Sequence, residues 1–282
     1  MRPLPALLCG LAVLATTPAR ASAPGPNYEV YAVRFAGYHG YPLAALVAGA
    51  DTSRRQDLAF MVWLMKGSNG RNVLLDAGFY RDKVRRGWTL TDFEKPSAAI
   101  ATLGVRPEDI TDIIISHVHW DHLDGADLFP NARVWIQRDE YHHYVGADGQ
   151  PLDRAIDTVD ADMLARLYRA GRVTLVDGDA REIIPGITVY TGGRHTFASE
   201  YVGVTTGVGT VVLASDNAYL YANLATHTPI GATFSPGDTT MNRKALERME
   251  RIATSPRLIV PGHDPDIFVR FPAPGNGVAR IQ

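Results

Sequence analysis

Hydrophobic and polar residues alternate with two different periods along this chain, and the period sets the expected element. Residues 29–35, 59–66 and 72–75 are short runs rich in Val, Leu, Tyr and Phe, and Gly67-Ser68-Asn69-Gly70 separates the last two. Such runs with turn residues between them predict hairpin strands. Residues 98–103 read as a helix that stops at Gly104. Residues 110–116, with Ile113-Ile114-Ile115 as their apolar centre, read as a strand covered on both faces. Ile156, Val159, Met163, Leu164 and Leu167 recur at helical spacing before Gly171, and strands are predicted at 172–176, 187–190, 201–206 and 210–214. A last helix at 240–253 carries Ala245, Leu246, Met249 and Ile252 on one side and leads to a strand at 258–260. Hairpin strands mixed with helices predict an α+β fold of two mixed sheets with helices on their outer faces. Residues 27–282 contain no linker, charge block or repeat, so 24–282 is expected to be a single domain.

The first residues follow other rules. Arg2 precedes a short apolar core at 4–15, and Ala19-Arg20-Ala21 or Ala21-Ser22-Ala23 offers small residues for cleavage. This predicts a signal peptide over 1–23 and a periplasmic or secreted chain. The run falls short of the roughly 20 apolar residues that span a bilayer, and Pro3, Pro5 and Pro18 flank or interrupt it, so no stable membrane anchor is expected. Cys9, the single cysteine, lies inside this segment behind Leu8, which is too large for a lipid-attachment signal. The processed chain then has neither a disulfide nor a thiolate to use as nucleophile or ligand. The whole chain carries a net charge of -2; loss of Arg2 and Arg20 leaves 26 basic against 30 acidic residues, a net charge of -4. That balance argues against nucleic acid as a partner.

Candidate chemistry concentrates in Ser116-His117-Val118-His119-Trp120-Asp121-His122, four metal-competent side chains directly after the buried strand. Alternate residues of an extended segment point the same way, so His117 and His119 can grip one ion while a turn at Trp120 aims Asp121 and His122 at another. Imidazole and carboxylate suit zinc, which takes about four ligands. Three further candidates follow predicted strands: His195, Asp216 and His263. Asp216 has a second reading as the N-cap of a helix at 218–221. His39, His142, His143 and His227 lack such a setting and are taken as surface or structural residues.

These residues resemble the metallo-β-lactamase superfamily, and the resemblance covers nearly all of the chain after the signal peptide. It implies an αβ/βα sandwich with metal ligands on loops at one sheet edge. It also implies two Zn(2+) ions, one held by His117, His119 and His195, the other by Asp121, His122 and His263, with Asp216 bridging. Asp76 in Leu75-Asp76-Ala77-Gly78 resembles the family's early Asp-x-Gly turn, which supports the ligands from behind. The surroundings of His195, with Gly192-Gly193-Arg194 before it, depart from the family's usual pattern.

By the same resemblance, an aspartate at 216 sets the chain apart from the antibiotic-degrading members, which generally lack one there, and nearer to the lactonases, glyoxalase II and phosphodiesterases. Asp216-Asn217-Ala218-Tyr219 resembles the Asp-x-x-Tyr of the N-acyl homoserine lactone lactonases, and Gly262-His263-Asp264 resembles their closing motif. The resemblance implies a metal-dependent hydrolase that opens the lactone ring of acyl homoserine lactones by a metal-bridging hydroxide, with Asp121 and Tyr219 as catalytic residues. Tyr219 also has a reading as plain packing. The small-molecule acyl lactone needs an apolar groove, for which Phe79, Tyr80, Trp88 and Trp120 are candidates. A thioesterase, a phosphodiesterase, another esterase, a mononuclear-iron oxygenase of the same fold and a non-catalytic binding protein stay open as alternatives, as does assembly into a homodimer.

Overall fold

The computed structural model describes residues 25–271, 273 and 275–282. The predicted signal peptide, with Cys9, lies outside the described residues.

The first half of the chain supplies strands β1 (Tyr28–Pro42), β2 (Arg55–Gly67), β3 (Asn72–Leu75), β4 (Leu90–Thr91), β5 (Asp112–Ile114), β6 (Arg133–Gln137) and β7 (Val173–Val176). The second supplies β8 (Arg181–Ile184), β9 (Ile187–Thr191), β10 (Glu200–Thr206), β11 (Gly209–Leu213), β12 (Ile259–Val260) and β13 (Val278–Ile281). Order in the first sheet is β1-β2-β3-β5-β6-β7, antiparallel as far as β3 and parallel beyond. In the second, β8 to β11 are antiparallel neighbours and β12 joins β11 in parallel.

The alternation of a strand explains why both faces of the first sheet are apolar. Trp63, Met65, Val73, Leu75 and Ile114 point inward and meet Val189, Val202, Val204, Val211, Leu213 and Val260 of the second sheet. Their neighbours Val62, Leu64, Leu74 and Ile113 point the other way, onto Ile100, Met163, Leu164 and Leu167 of the outer helices. On the far side of the second sheet, Tyr201, Val212 and Ala214 pack against Ala245, Leu246 and Met249. The layers therefore run helices, sheet, sheet, helices. The expected two sheets are also joined edge to edge, because Tyr28 of β1 pairs with Thr206 of β10 and makes one continuous ladder. Trp63 is wholly buried between the sheets, and its loss to Ala would cost about 3–5 kcal/mol.

Several elements differ from the sequence reading. β1 continues to Pro42, past the predicted end at 35, by absorbing register shifts between Arg34 and Ala36 and between Tyr38 and Tyr41. The helix Thr158–Arg169 starts at a capping Asp157, whose carboxylate accepts the Val159 N–H at 3.0 Å. Val159 was expected in its apolar stripe but is 43% exposed. Asp160 takes the inward place instead, because Arg81 reaches it at 3.3 Å. β4, β6, β8 and β13 had no counterpart in the periodicity; most are too short for alternation to register.

Candidate metal centre

The ends of β3, β5, β11 and β12 and the loop between β9 and β10 all reach one edge of the sandwich, and the candidate ligands sit there. His117 lies three residues past the end of β5, and His119 precedes the short helix Trp120–Leu123 that carries Asp121 and His122. His117 Nε2 lies 3.0 Å from His119 Nδ1, which in turn lies 2.9 Å from His195 Nε2. Asp216, in the turn Ser215–Asn217, faces both groups. Its Oδ2 is 3.3 Å from His195 Nε2 and 3.7 Å from His117 Nε2, while its Oδ1 is 2.9 Å from His263 Nε2 and 3.3 Å from His122 Nε2. Asp121 Oδ2 completes the second group, 3.5 Å from His122 Nε2 and 3.7 Å from His263 Nε2.

Donor atoms on a tetrahedral zinc with arms of about 2.0–2.1 Å stand about 3.3–3.4 Å apart. The separations above scatter around that value, so both groups suit a metal ion, and His117, His119, His195 and Asp216 form one candidate set beside Asp121, His122 and His263. Buried polar atoms ordinarily find hydrogen-bond partners. His122 Nε2 and Asp216 Oδ1, though close to each other, make no well-aligned hydrogen bond, and they are two of the atoms that a cation would engage.

A supporting layer fixes these rings. His122 Nδ1 meets Asp76 Oδ2 at 2.7 Å, His195 Nδ1 meets the Ala232 carbonyl at 3.0 Å, and His263 Nδ1 meets the Ala59 carbonyl at 3.1 Å. Asp76 also accepts the Ser116 N–H and the Ser116 and Ser215 hydroxyls at 2.8, 3.0 and 3.1 Å. Such contacts set which nitrogen carries the proton and leave the other free to ligate. Asp76, Arg194 and Ser215 have positive φ of 60°, 55° and 46°, strained backbone next to the residues that matter. Gly262 is required by crowding: a Cβ there would lie 2.7 Å from the Ser215 carbonyl oxygen and 3.0 Å from Asp216 Oδ1. Glu140, wholly buried, accepts from Val118 N–H at 3.1 Å, Thr196 Oγ1 at 2.6 Å and Ala198 N–H at 2.7 Å. Sequence reasoning missed it, since a lone Glu in a polar helical stretch gives no sign of burial.

Charge follows from burial. Burial pushes the His117 and His195 pKa down and that of His119 to about 3, so these rings are neutral, the form that ligates. Burial also opposes charge on His122 and His263, yet Asp216 and Asp121 hold both above the usual range. Those are the carboxylates that a cation would neutralise. Burial and the nearby Asp216 and Asp121 push the Tyr219 hydroxyl well above its ordinary value, so it stays protonated.

Above the donors lies a cavity of about 250 Å³ walled by Tyr41, Leu46, Phe60, Trp88, Trp120 and Tyr219. The Tyr219 hydroxyl is 3.4 Å from His195 Nδ1. Of the four aromatic residues expected to form an apolar groove, Trp88 and Trp120 line this cavity. Phe79 instead is core, packed edge-on behind Trp120, and Tyr80 turns toward Asp127. Tyr41, Leu58 and Phe60 were not foreseen, because the bent end of β1 and the start of β2 deliver them. A larger cavity of about 930 Å³ opens elsewhere, near Arg54 and Arg257, but holds none of the clustered donors, so the smaller one is the candidate site. The N-cap reading of Asp216 fails: the nearby helix starts at Tyr221, whose N–H is taken by Asp264 at 2.8 Å. His39 pairs with Asp57, His143 stacks on Phe197 and His227 faces Glu250, all away from the centre.

Comparison with known proteins agrees with this layout. The chain is 26% identical over 177 residues to an N-acyl homoserine lactonase of Bacillus cereus, covering 62% of this chain and 64% of that protein. It is 26% identical over 193 residues to the N-acyl homoserine lactonase AttM of Azorhizobium caulinodans, covering 63% and 67%. The aligned region thus spans under two thirds of the Bacillus relative. A crystal structure of a quorum-quenching N-acyl homoserine lactone lactonase superposes with a TM-score of 0.69 at 22% identity, over 84% of this chain and 92% of that one. The metallo-beta-lactamase superfamily model matches residues 55–263, a span from β2 to the last clustered histidine, and the chain belongs to that superfamily.

Proposed function

We propose that this chain is a dinuclear zinc hydrolase that opens the lactone ring of N-acyl homoserine lactones. The observation that carries the reading is Asp216, whose two carboxylate oxygens each face a separate group of donors beneath an aromatic-walled cavity. The curated relatives named above, both N-acyl homoserine lactonases, support the substrate class.

Two bound zinc ions would supply the activated water and the Lewis acidity that ester hydrolysis at neutral pH needs. The chain's own residues do the rest. His117, His119 and His195 form one half-site, Asp121, His122 and His263 the other, and Asp216 spaces the two. The Tyr219 hydroxyl donates a hydrogen bond to the substrate carbonyl oxygen, where negative charge develops. As water adds to the carbonyl carbon and the ring C–O bond breaks, the leaving alkoxide needs a proton. Asp121, at the cavity wall, is placed to carry it from the attacking water. Trp88, Trp120, Phe60 and Leu46 shed water from the site and hold the acyl chain. Export through the predicted signal peptide would place the enzyme where a diffusible lactone is met.

The test is purified chain loaded with zinc, assayed on a short and a long acyl homoserine lactone, a thioester and bis-nitrophenyl phosphate. Lactone kcat/KM should exceed the others by about 100-fold. Faster thioester or phosphodiester cleavage would overturn the substrate, and one iron per chain would move the reading to the oxygenase branch.

A further inference from the structure

We infer that Glu140 is a positioning residue for one metal half-site only, clamping together the two loops that carry His117, His119 and His195. This rests on the two-metal reading above.

Glu140 lies on the helix Arg138–Tyr144, directly after β6, and touches none of the seven donors. Its Oε1 takes the N–H of Val118, the residue between His117 and His119, and the hydroxyl of Thr196, the residue after His195. Its Oε2 takes the Ala198 N–H. One carboxylate thus bridges segments almost 80 residues apart, and the imidazole nitrogens on those segments stand 2.9 Å apart. Tyr144, from the same helix, adds a fourth tie by accepting the Phe197 N–H at 3.1 Å. The other group has supports that Glu140 does not touch: the Ala59 carbonyl behind His263, and Asp76 behind His122, although Asp76 also reaches His117 through the Ser116 hydroxyl.

Why the residue is an acid follows from its partners. Two backbone N–H groups and a hydroxyl all donate; burial pushes the Glu140 carboxyl up to about 7 while these three donors pull it back, and once ionised it is a pure acceptor at both oxygens. A glutamine of the same shape would point its NH₂ at either Val118 N–H or Ala198 N–H whichever way it turned. One loop would have to move off, and the His119 to His195 spacing with it. Outer partners of this kind are worth about 10–100-fold in metal affinity.

The experiment compares zinc-loaded crystals of wild type, Glu140→Gln and Asp76→Asn by anomalous diffraction at the zinc edge, with zinc affinities from chelator competition alongside. In Glu140→Gln, zinc should be depleted at the His117, His119 and His195 position and retained at the other, with one binding step weakened about 10–100-fold. Asp76→Asn, at a carboxylate that holds His122 directly and His117 only through Ser116, should deplete the Asp121, His122 and His263 position more than the other. Equal loss at both positions in Glu140→Gln, or no loss at either, would overturn the inference. Should that variant not fold, Thr196→Val removes one donor while keeping the carboxylate and must give a smaller loss at the same position. Wild type that binds fewer than two zinc ions would instead sink the two-metal reading itself, so the two failures are told apart.

Discussion

Replacing Asp76 by Asn tests whether the supporting layer controls the metal chemistry. Asp76 is wholly buried at φ 60°, a conformation that Asn also tolerates, so the backbone should survive the change. The Asn carbonyl can still accept the Ser116 N–H now held at 2.8 Å, and the Ser116 and Ser215 hydroxyls can rotate to accept from its amide. His122 has no such freedom. Its Nδ1, 2.7 Å from Asp76 Oδ2, would face an NH₂ donor and have to become an acceptor. The ring proton would then sit on Nε2, the atom aimed at Asp216 and Asp121. Metal affinity should drop about 10–100-fold, equivalent to about 1.4–2.7 kcal/mol. The metal-free fold should lose about 1–3 kcal/mol for one mismatched buried contact, a Tm fall of a few degrees. Chelator competition for zinc and thermal melting of the metal-free protein read the two numbers separately. A destabilised fold with unchanged zinc affinity would refute the tautomer argument and reduce Asp76 to a structural residue.

Tyr219→Phe should keep its zinc yet lose about 10²–10³-fold in kcat on lactones, and unchanged kinetics would take the hydroxyl out of the reaction. Chelation should lower the Tm, since binding to the folded state alone stabilises it, and added zinc should restore it. Asp160 sets a pH dependence. Burial and the neighbouring Asp124 charge push its carboxyl up to about 8, against about 3.9 for a free aspartate. The folded chain therefore keeps a proton that the unfolded chain releases, so this stabilisation is full below about pH 4 and is lost as pH rises toward 8. Asp160→Asn should flatten the Tm profile across that window, and an unaltered profile would show that Asp160 is ionised beside Arg81.

Part of this molecule could be read from local pattern because the physics is local. The consecutive Ile113, Ile114 and Ile115 demand cover on both faces, and Ile113 and Ile114 do point into different layers. The crowding of His117, His119, Asp121 and His122 within six residues exceeds what a solvated loop needs, and all four meet at one edge with His195, Asp216 and His263. The exposed Val159 and buried Asp160 show where pattern fails: Arg81, 79 residues away, decides which of them faces in. The groove fails for the same reason. Loop proximity in sequence suggested Phe79 and Tyr80, whereas the curl of β1 brought Tyr41 across to the site and Phe79 sank into the core.

By itself, the sequence determined residue type and local period, and with them the layers, the strand-end loops and the seven donors, since hydrophobic alternation and ligand chemistry are carried by neighbours along the chain. Tertiary structure alone decided that Asp216 turns one oxygen to each group, that Asp76 stands directly behind His122 while Glu140 ties the loops of His117, His119 and His195 together, and which aromatic rings wall the cavity. Those are arrangements of segments far apart in the chain, as when Ser215 meets Asp76 across 139 residues, fixed by sheet order and packing, on which no run of adjacent residues bears.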